Sequence, residues 1–148
     1  MSKIKLRRKA REYLVKAIYQ WQMTDDPSNE IIAQFLIDYK PEKYDTEFFQ
    51  EVLRGVIEHR AELDSQLVPY MNRTVAEMDP VELAILRLAV FELIYKIDVP
   101  YRVVINEAVE QCKRYGATDG HKFVNGVLDK VAQQVRQVEV QNRNSNIR

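Results

Sequence analysis

Seven Lys and Arg side chains fall within the first sixteen residues (Lys3, Lys5, Arg7, Arg8, Lys9, Arg11 and Lys16), and Glu12 is the single acid among them. The 148-residue chain is neutral overall, with 22 basic and 22 acidic residues, so the remainder carries 15 basic against 21 acidic. A cation cluster of this density draws a polyanion by releasing its condensed counterions, and nucleic acid is the simplest such partner. A solvated helix face with no ligand has the same composition.

Other chemistry is poorly served. His59 and His121 stand far apart, with no Cys or carboxylate at metal-ligand spacing. Gly116 and Gly120 do not make a phosphate-cradling loop. Glu107 and Glu110 share a helix face in the manner of an acid/base pair, yet that spacing is far more common on solvated faces. These absences favour a binding protein over an enzyme, with no cofactor and no metal.

The basic cluster needs an element to hold it, and the apolar spacing supplies a helix. Leu6, Ala10, Tyr13, Leu14, Ala17, Ile18 and Trp21 recur at three and four, which predicts a helix from about Ile4 to Met23. Ser28 caps a second helix through about Tyr39, ended by Lys40-Pro41. A long third helix runs from Asp45 or Thr46 to about Pro69, burying Phe49, Val52, Leu53, Val56, Ile57, Leu63 and Leu67. Asp79-Pro80-x-Glu82 is a strong start signal, with Asp79 as cap, Pro80 at the first position and Glu82 closing a capping box. The helix that follows buries Leu83, Leu86, Val90, Leu93, Ile94 and Ile97. Another spans about Arg102 to Tyr115 and ends at Gly116, and Thr118 or Asp119 caps a last one to about Arg136.

These elements make an all-α bundle of six or seven helices in one domain, residues 1–138. Residues 139–148, rich in Gln, Asn and Arg, form an expected disordered tail. The lone Cys112 lies in an apolar run and reads as a small buried residue in a reducing compartment. No apolar run reaches the roughly 20 residues that span a bilayer, and no signal peptide is indicated, so a cytoplasmic protein is expected.

Several segments, in order, resemble the NusB transcription antitermination factors. They are Arg7-Arg8-Lys9-Ala10-Arg11-Glu12 with Ala17-Ile18-Tyr19-Gln20-Trp21, Asp79-Pro80-Val81-Glu82 with Ala84-Ile85-Leu86-Arg87, and Asp98-Val99-Pro100-Tyr101. Val104-Ile105-Asn106-Glu107-Ala108 and His121-Lys122-Phe123-Val124-Asn125-Gly126-Val127-Leu128-Asp129-Lys130 are the strongest. The match spans about Arg7 to Val135. A related domain is fused to some RNA cytosine methyltransferases, but the free-standing factors are the better match. The resemblance implies two packed three-helix bundles in a bacterial cytoplasmic protein. It further implies binding to single-stranded boxA RNA together with NusE, a small-subunit ribosomal protein. Through that complex the protein joins other Nus factors and RNA polymerase and suppresses premature termination, notably on ribosomal RNA operons.

It also implies site residues. Arg7 and Arg11, four apart on one helix face, reach phosphates or stack on unpaired bases, with Arg8, Lys9 and Lys16 widening the field. Alanine at Arg7 and Arg11 is expected to weaken RNA binding with little loss of fold stability. Lys122, Phe123 and Asn125 open the last helix beside Asp119, at the RNA surface that the family motif implies. Phe123 stacks a base or packs in the core, Asn125 reads a base edge or bridges backbone groups, and Asp119 tunes affinity or merely caps. Tyr19 and Tyr70 stack RNA, meet the protein partner, or are partly buried. Glu82 and Arg87 fall in a block that the family directs toward NusE, although a capping box and an ion pair explain them equally. A purely protein-binding scaffold and a subunit of an RNA-modifying assembly stay open as alternatives, as does a homodimer.

Overall fold

Every residue from Glu82 to Leu93 is buried, so the helix that contains them has no solvent face. A helix apolar all round belongs at the centre of a fold. The computed structural model, which describes residues 1–115 and 119–147 with side chains through Arg143, places this helix there. The helices are α1 (Lys3–Thr24), α2 (Ser28–Asp38), α3 (Thr46–Glu58), α4 (Arg60–Met71), α5 (Pro80–Tyr95), α6 (Tyr101–Tyr115), α7 (Gly120–Val135) and α8 (Gln137–Ile147). The central α5 packs on α1, α3, α4, α6 and α7. No strand occurs among the described residues.

The sequence predicts six or seven helices; among the described residues there are eight α-helices. One addition comes from a break at His59, where the long third helix divides into α3 and α4. His59 makes two bonds to one carbonyl: its backbone amide and its ring Nδ1 both lie 2.9 Å from the Gly55 oxygen. The break lets α3 lie against α5 at Gly55, where an added Cβ would stand 2.3 Å from the Phe91 ring. Gly55→Ala must displace a buried aromatic, and a loss of about 1–3 kcal/mol is expected. Urea denaturation checks this; an unchanged midpoint would mean that Phe91 repacks without strain.

The second addition is α8. The predicted boundary at residue 138 is corrected by Arg136 and Glu139. Arg136 donates to the Leu93, Glu92 and Lys96 carbonyls at 2.6, 3.2 and 3.0 Å, satisfying the end of α5. Its Nη1 also meets Glu139 at 2.6 Å, and the other Glu139 oxygen accepts from the Tyr101 amide at 2.8 Å, at the start of α6. Composition alone hides this, because the polar side chains there bind backbone groups of a distant turn.

The two expected bundles share one continuous core, because α5 packs against helices of both halves. At the N-terminal end, Tyr13 of α1 stacks on Tyr39 at 4.1 Å and meets Tyr44 edge-on at 4.9 Å, beside Phe35 and Phe49. Asp79 does cap α5, accepting from Val81 and Glu82. Glu82 closes no capping box; that motif forms one turn earlier, between Thr74 and Glu77. Ser28 is the first residue of α2, not a side-chain cap, and Ile97 is exposed. The predicted stop at Gly116 and the alternative cap at Thr118 lie outside the described residues.

Candidate nucleic-acid interface

The basic cluster divides in two on folding. Its arginines turn inward or sideways to carboxylates. Arg11 is buried at 4% exposure and holds Glu92 of α5 through Nη2 at 2.7 Å and Nε at 3.0 Å. This corrects its assignment as an RNA contact: α1 must lie flat on α5, and position 11 is on the packed side. Arg7 bonds Asp45 at 3.1 Å with its guanidinium 4.0 Å over the Phe48 ring, tying α1 to the start of α3. Arg8 pairs with Glu107 of α6 at 3.0 Å, although more than half of its side chain faces solvent.

The lysines stay outside. Lys5, Lys9, Lys16 and Tyr19 follow one another at four, seven and three residues, one face of α1. Lys5, Lys16 and Tyr19 are exposed, and Lys9 is partly so, with a 3.5 Å surface contact to Glu12 and its ammonium 5.4 Å from the centre of the Tyr13 ring. Such a contact contributes little and leaves the ammonium available. The C-terminal end of α6 joins this face. Arg114 meets Glu12 at 2.8 Å and the Tyr115 hydroxyl donates to Glu12 at 3.0 Å. Burial pushes the Glu12 carboxyl up, but Tyr115, Lys9 and Arg114 together hold it below the usual carboxylate range.

From Tyr115 the chain returns at Asp119, so the start of α7 follows this junction within a few residues. Asp119 takes the cap position of α7 at φ 67° without a side-chain cap bond, and its carboxylate faces solvent with Lys122 3.5 Å away. Lys122 and Asn125 are exposed. Phe123 packs partly against the core, and the guanidinium of Arg73 lies 4.8 Å over its ring. Tyr70 is likewise half-buried against the core.

Glu82 and Arg87 do not form a surface. Arg87, 5% exposed, bonds Asp64 at 2.9 and 3.0 Å and Gln22 at 3.1 Å, joining α5 to α4 and α1. Glu82 is buried with an oxygen against Gly120, where an added Cβ would stand 2.1 Å away. Burial, then Asp79, push its carboxyl above the usual range, against the pull of Arg73. Glu82 thus packs inside the fold, while Arg87, held by Asp64 and Gln22, forms part of the wall of an open cavity beside Trp21 and Arg60. Cys112 is fully buried, and burial pushes its thiol up to about 11, with Glu82 contributing.

The sequence reading missed Arg73 and Arg114. Arg73 follows the last turn of α4 with no periodic neighbours, and Arg114 reads as an ordinary basic residue at a helix C-terminus. The one pointer was the run Asn72-Arg73, since Asn is the side chain most tolerant of a left-handed turn.

The fold is an all-helical domain in which Arg7, Arg8 and Arg11 of α1 pair with carboxylates from neighbouring elements while lysines and a tyrosine line the outer face of the same helix. The sequence profile of the NusB family matches residues 8–133. The chain belongs to the NusB family. It is 54% identical over 134 residues to the transcription antitermination protein NusB of Pseudomonas savastanoi pv. phaseolicola, covering 90% of this chain and 81% of that protein. The protein of that name from Pseudoalteromonas atlantica is 52% identical, over 90% of this chain and 96% of its own length. Among solved structures, T. maritima NusB superposes with a TM-score of 0.78 at 31% identity, covering 90% of this chain and 96% of that one. A chain from the crystal structure of antitermination factors NusB and NusE in complex with dsRNA gives 0.76 at 23% identity, covering 85% and 95%, and shares the fold. No helix among the described residues is long and apolar enough to cross a membrane.

Proposed function

We propose that this chain is a transcription antitermination factor that binds boxA RNA together with NusE and keeps RNA polymerase transcribing ribosomal RNA operons. The observation that carries the reading is the row Lys5, Lys9, Lys16 and Tyr19, exposed or partly exposed on the helix that opens a NusB-family chain. Phosphates meet the ammonium groups and an unpaired base stacks on the tyrosine. Arg8, Arg114, Lys122 and Asn125 extend the track, with Arg7 at its edge and Asp119 offsetting charge at the α7 end. Phe123 and Tyr70 lie at its apolar border.

The mechanism is coupled binding. RNA and NusE occupy adjoining surfaces, so each raises the affinity of the other by the same factor. Tyr19, exposed on α1, is assigned to both contacts. Glu82 and Arg87 act on the NusE side only through the helix ends that they fix. Other Nus factors and the polymerase join through the complex, in the bacterial cytoplasm. Nothing in this scheme calls on a reaction at the chain itself, a cofactor or a homodimer.

Fluorescence anisotropy of a labelled boxA RNA, with and without NusE, tests the reading beside a scrambled RNA and a duplex of the same sequence. Binding that favours boxA and tightens with NusE is expected. Weak, salt-sensitive and equal binding to all three, with NusE making no difference, would reduce the face to a generic polyanion patch. Binding of NusE without RNA would favour a protein-only scaffold. In the triple variant Lys5→Ala, Lys9→Ala and Lys16→Ala, the slope of log affinity against log salt should fall by about 2, near 0.7 per lost phosphate contact. Its melting temperature should stay close to the unaltered value.

A further inference from the structure

We propose that Arg73 is an RNA-contacting residue whose guanidinium, carried on the Phe123 ring, receives an unpaired base. The inference rests on the reading of this protein as an RNA-binding factor. Phe123 looks from sequence like the stacking platform, but the Arg73 guanidinium stands 4.8 Å above that ring. A base approaching from that side meets the cation, not the aromatic face. Guanidinium planes stack on bases as aromatic rings do, and their N–H groups also reach phosphates.

The placement of Arg73 is fixed from both sides. Asn72 turns the chain off α4 in the left-handed conformation at φ 59°. Thr74 starts a capping box: its amide and hydroxyl donate to Glu77 at 2.9 and 2.8 Å. Arg73 itself is exposed. Among the described residues its guanidinium has no carboxylate within ion-pair distance, unlike Arg7, which covers the Phe48 ring while bound to Asp45. Glu77 and Glu82 lie near enough for Arg73 to pull on their carboxyls, so the local field is balanced. Stacking, not bulk charge, is therefore the contribution expected of this residue.

The test compares Arg73→Ala, Arg73→Lys and Phe123→Leu in anisotropy with labelled boxA RNA in the presence of NusE, with thermal melts alongside. Arg73→Ala should lower affinity roughly tenfold, the scale of losing one stacked base, and leave the melting temperature unchanged. Arg73→Lys keeps the charge and should not restore binding. Phe123→Leu should show a similar loss, and the double variant should bind no worse than either single one, because ring and guanidinium act as a unit. Affinity within twofold of the unaltered chain in Arg73→Ala, while the lysine triple variant is weakened, would overturn the inference and leave the RNA-binding reading standing. Full rescue by Arg73→Lys would also overturn it, reducing the residue to a point charge. If the unaltered chain binds no RNA with NusE present, the functional reading falls and takes this inference with it.

Discussion

Arg11→Ala should lower the stability of the protein by about 3–5 kcal/mol, the usual cost of breaking a buried ion pair from one side. The carboxylate left behind explains the size. The Glu92 side chain is 2% exposed and receives both Nε and Nη2 of Arg11, at 3.0 and 2.7 Å. With the arginine gone it must stay charged without a partner or take up a proton, and either costs free energy. At roughly 2–4 °C per kcal/mol for a chain of this size, the melting temperature should drop by about 10–15 °C. Thermal and urea melts check this. The double variant Arg11→Met, Glu92→Leu should recover much of the loss, because apolar side chains fill the same space without stranding a charge. RNA binding measured well below the melt, with NusE present, should be nearly unchanged in that double variant. A single variant that melts within about 2–3 °C of the parent, roughly the cost of a surface change, would return Arg11 to the candidate RNA contacts. The sequence reading expected that opposite result, a weakened RNA complex on an undisturbed fold.

Arg136→Ala should cost on the order of 3 kcal/mol, since it leaves several buried acceptors without donors at once. Arg136 serves the Leu93, Glu92 and Lys96 carbonyls, and its pairing with Glu139 carries the chain into α8. Its removal therefore acts at two places. The end of α5 loses its donors, and Glu139 loses the cation that steers its other oxygen to the Tyr101 amide. Hydrogen exchange should report both, as faster exchange at Tyr101 and along α8, while urea denaturation gives the global loss. Arg136→Lys should rescue only part, because one ammonium cannot reach three carbonyls and a carboxylate in the geometry of a planar fork. Exchange at Tyr101 left at its original rate would show that α6 starts without this clamp.

Most of the fold was legible. The start of α1, the Asp79-Pro80 opening of α5 and the span of α6 were readable because apolar spacing and helix-start chemistry are local signals. The break at His59 was not, because it depends on one ring bonding a carbonyl one turn back. The ordering of α8 was not, because Glu139 and Arg136 act on groups about forty residues away in sequence.

The basic helix was legible in the sequence; the setting of each of its side chains was not. Clustered cations on α1 are a property of composition, and the structure keeps them on one helix as the spacing predicts. The family followed from several short segments in order, which folding does not alter. Which cation faces solvent is a different kind of fact. Arg7, Arg8 and Arg11 look equivalent in a charge count, yet only tertiary packing brings Asp45, Glu107 and Glu92 to meet them. Burying a charge without its partner is prohibitively costly, so the partners decide the role, and they arrive from α3, α5 and α6. The same holds for Arg87, which reads as half of a surface ion pair until α5, at the centre of the molecule, brings it to Asp64 and Gln22. Sequence determined the helices, the family and the sign of the N-terminal face. The three-dimensional packing of α1 and α7 around α5 decided which side chains are left to bind.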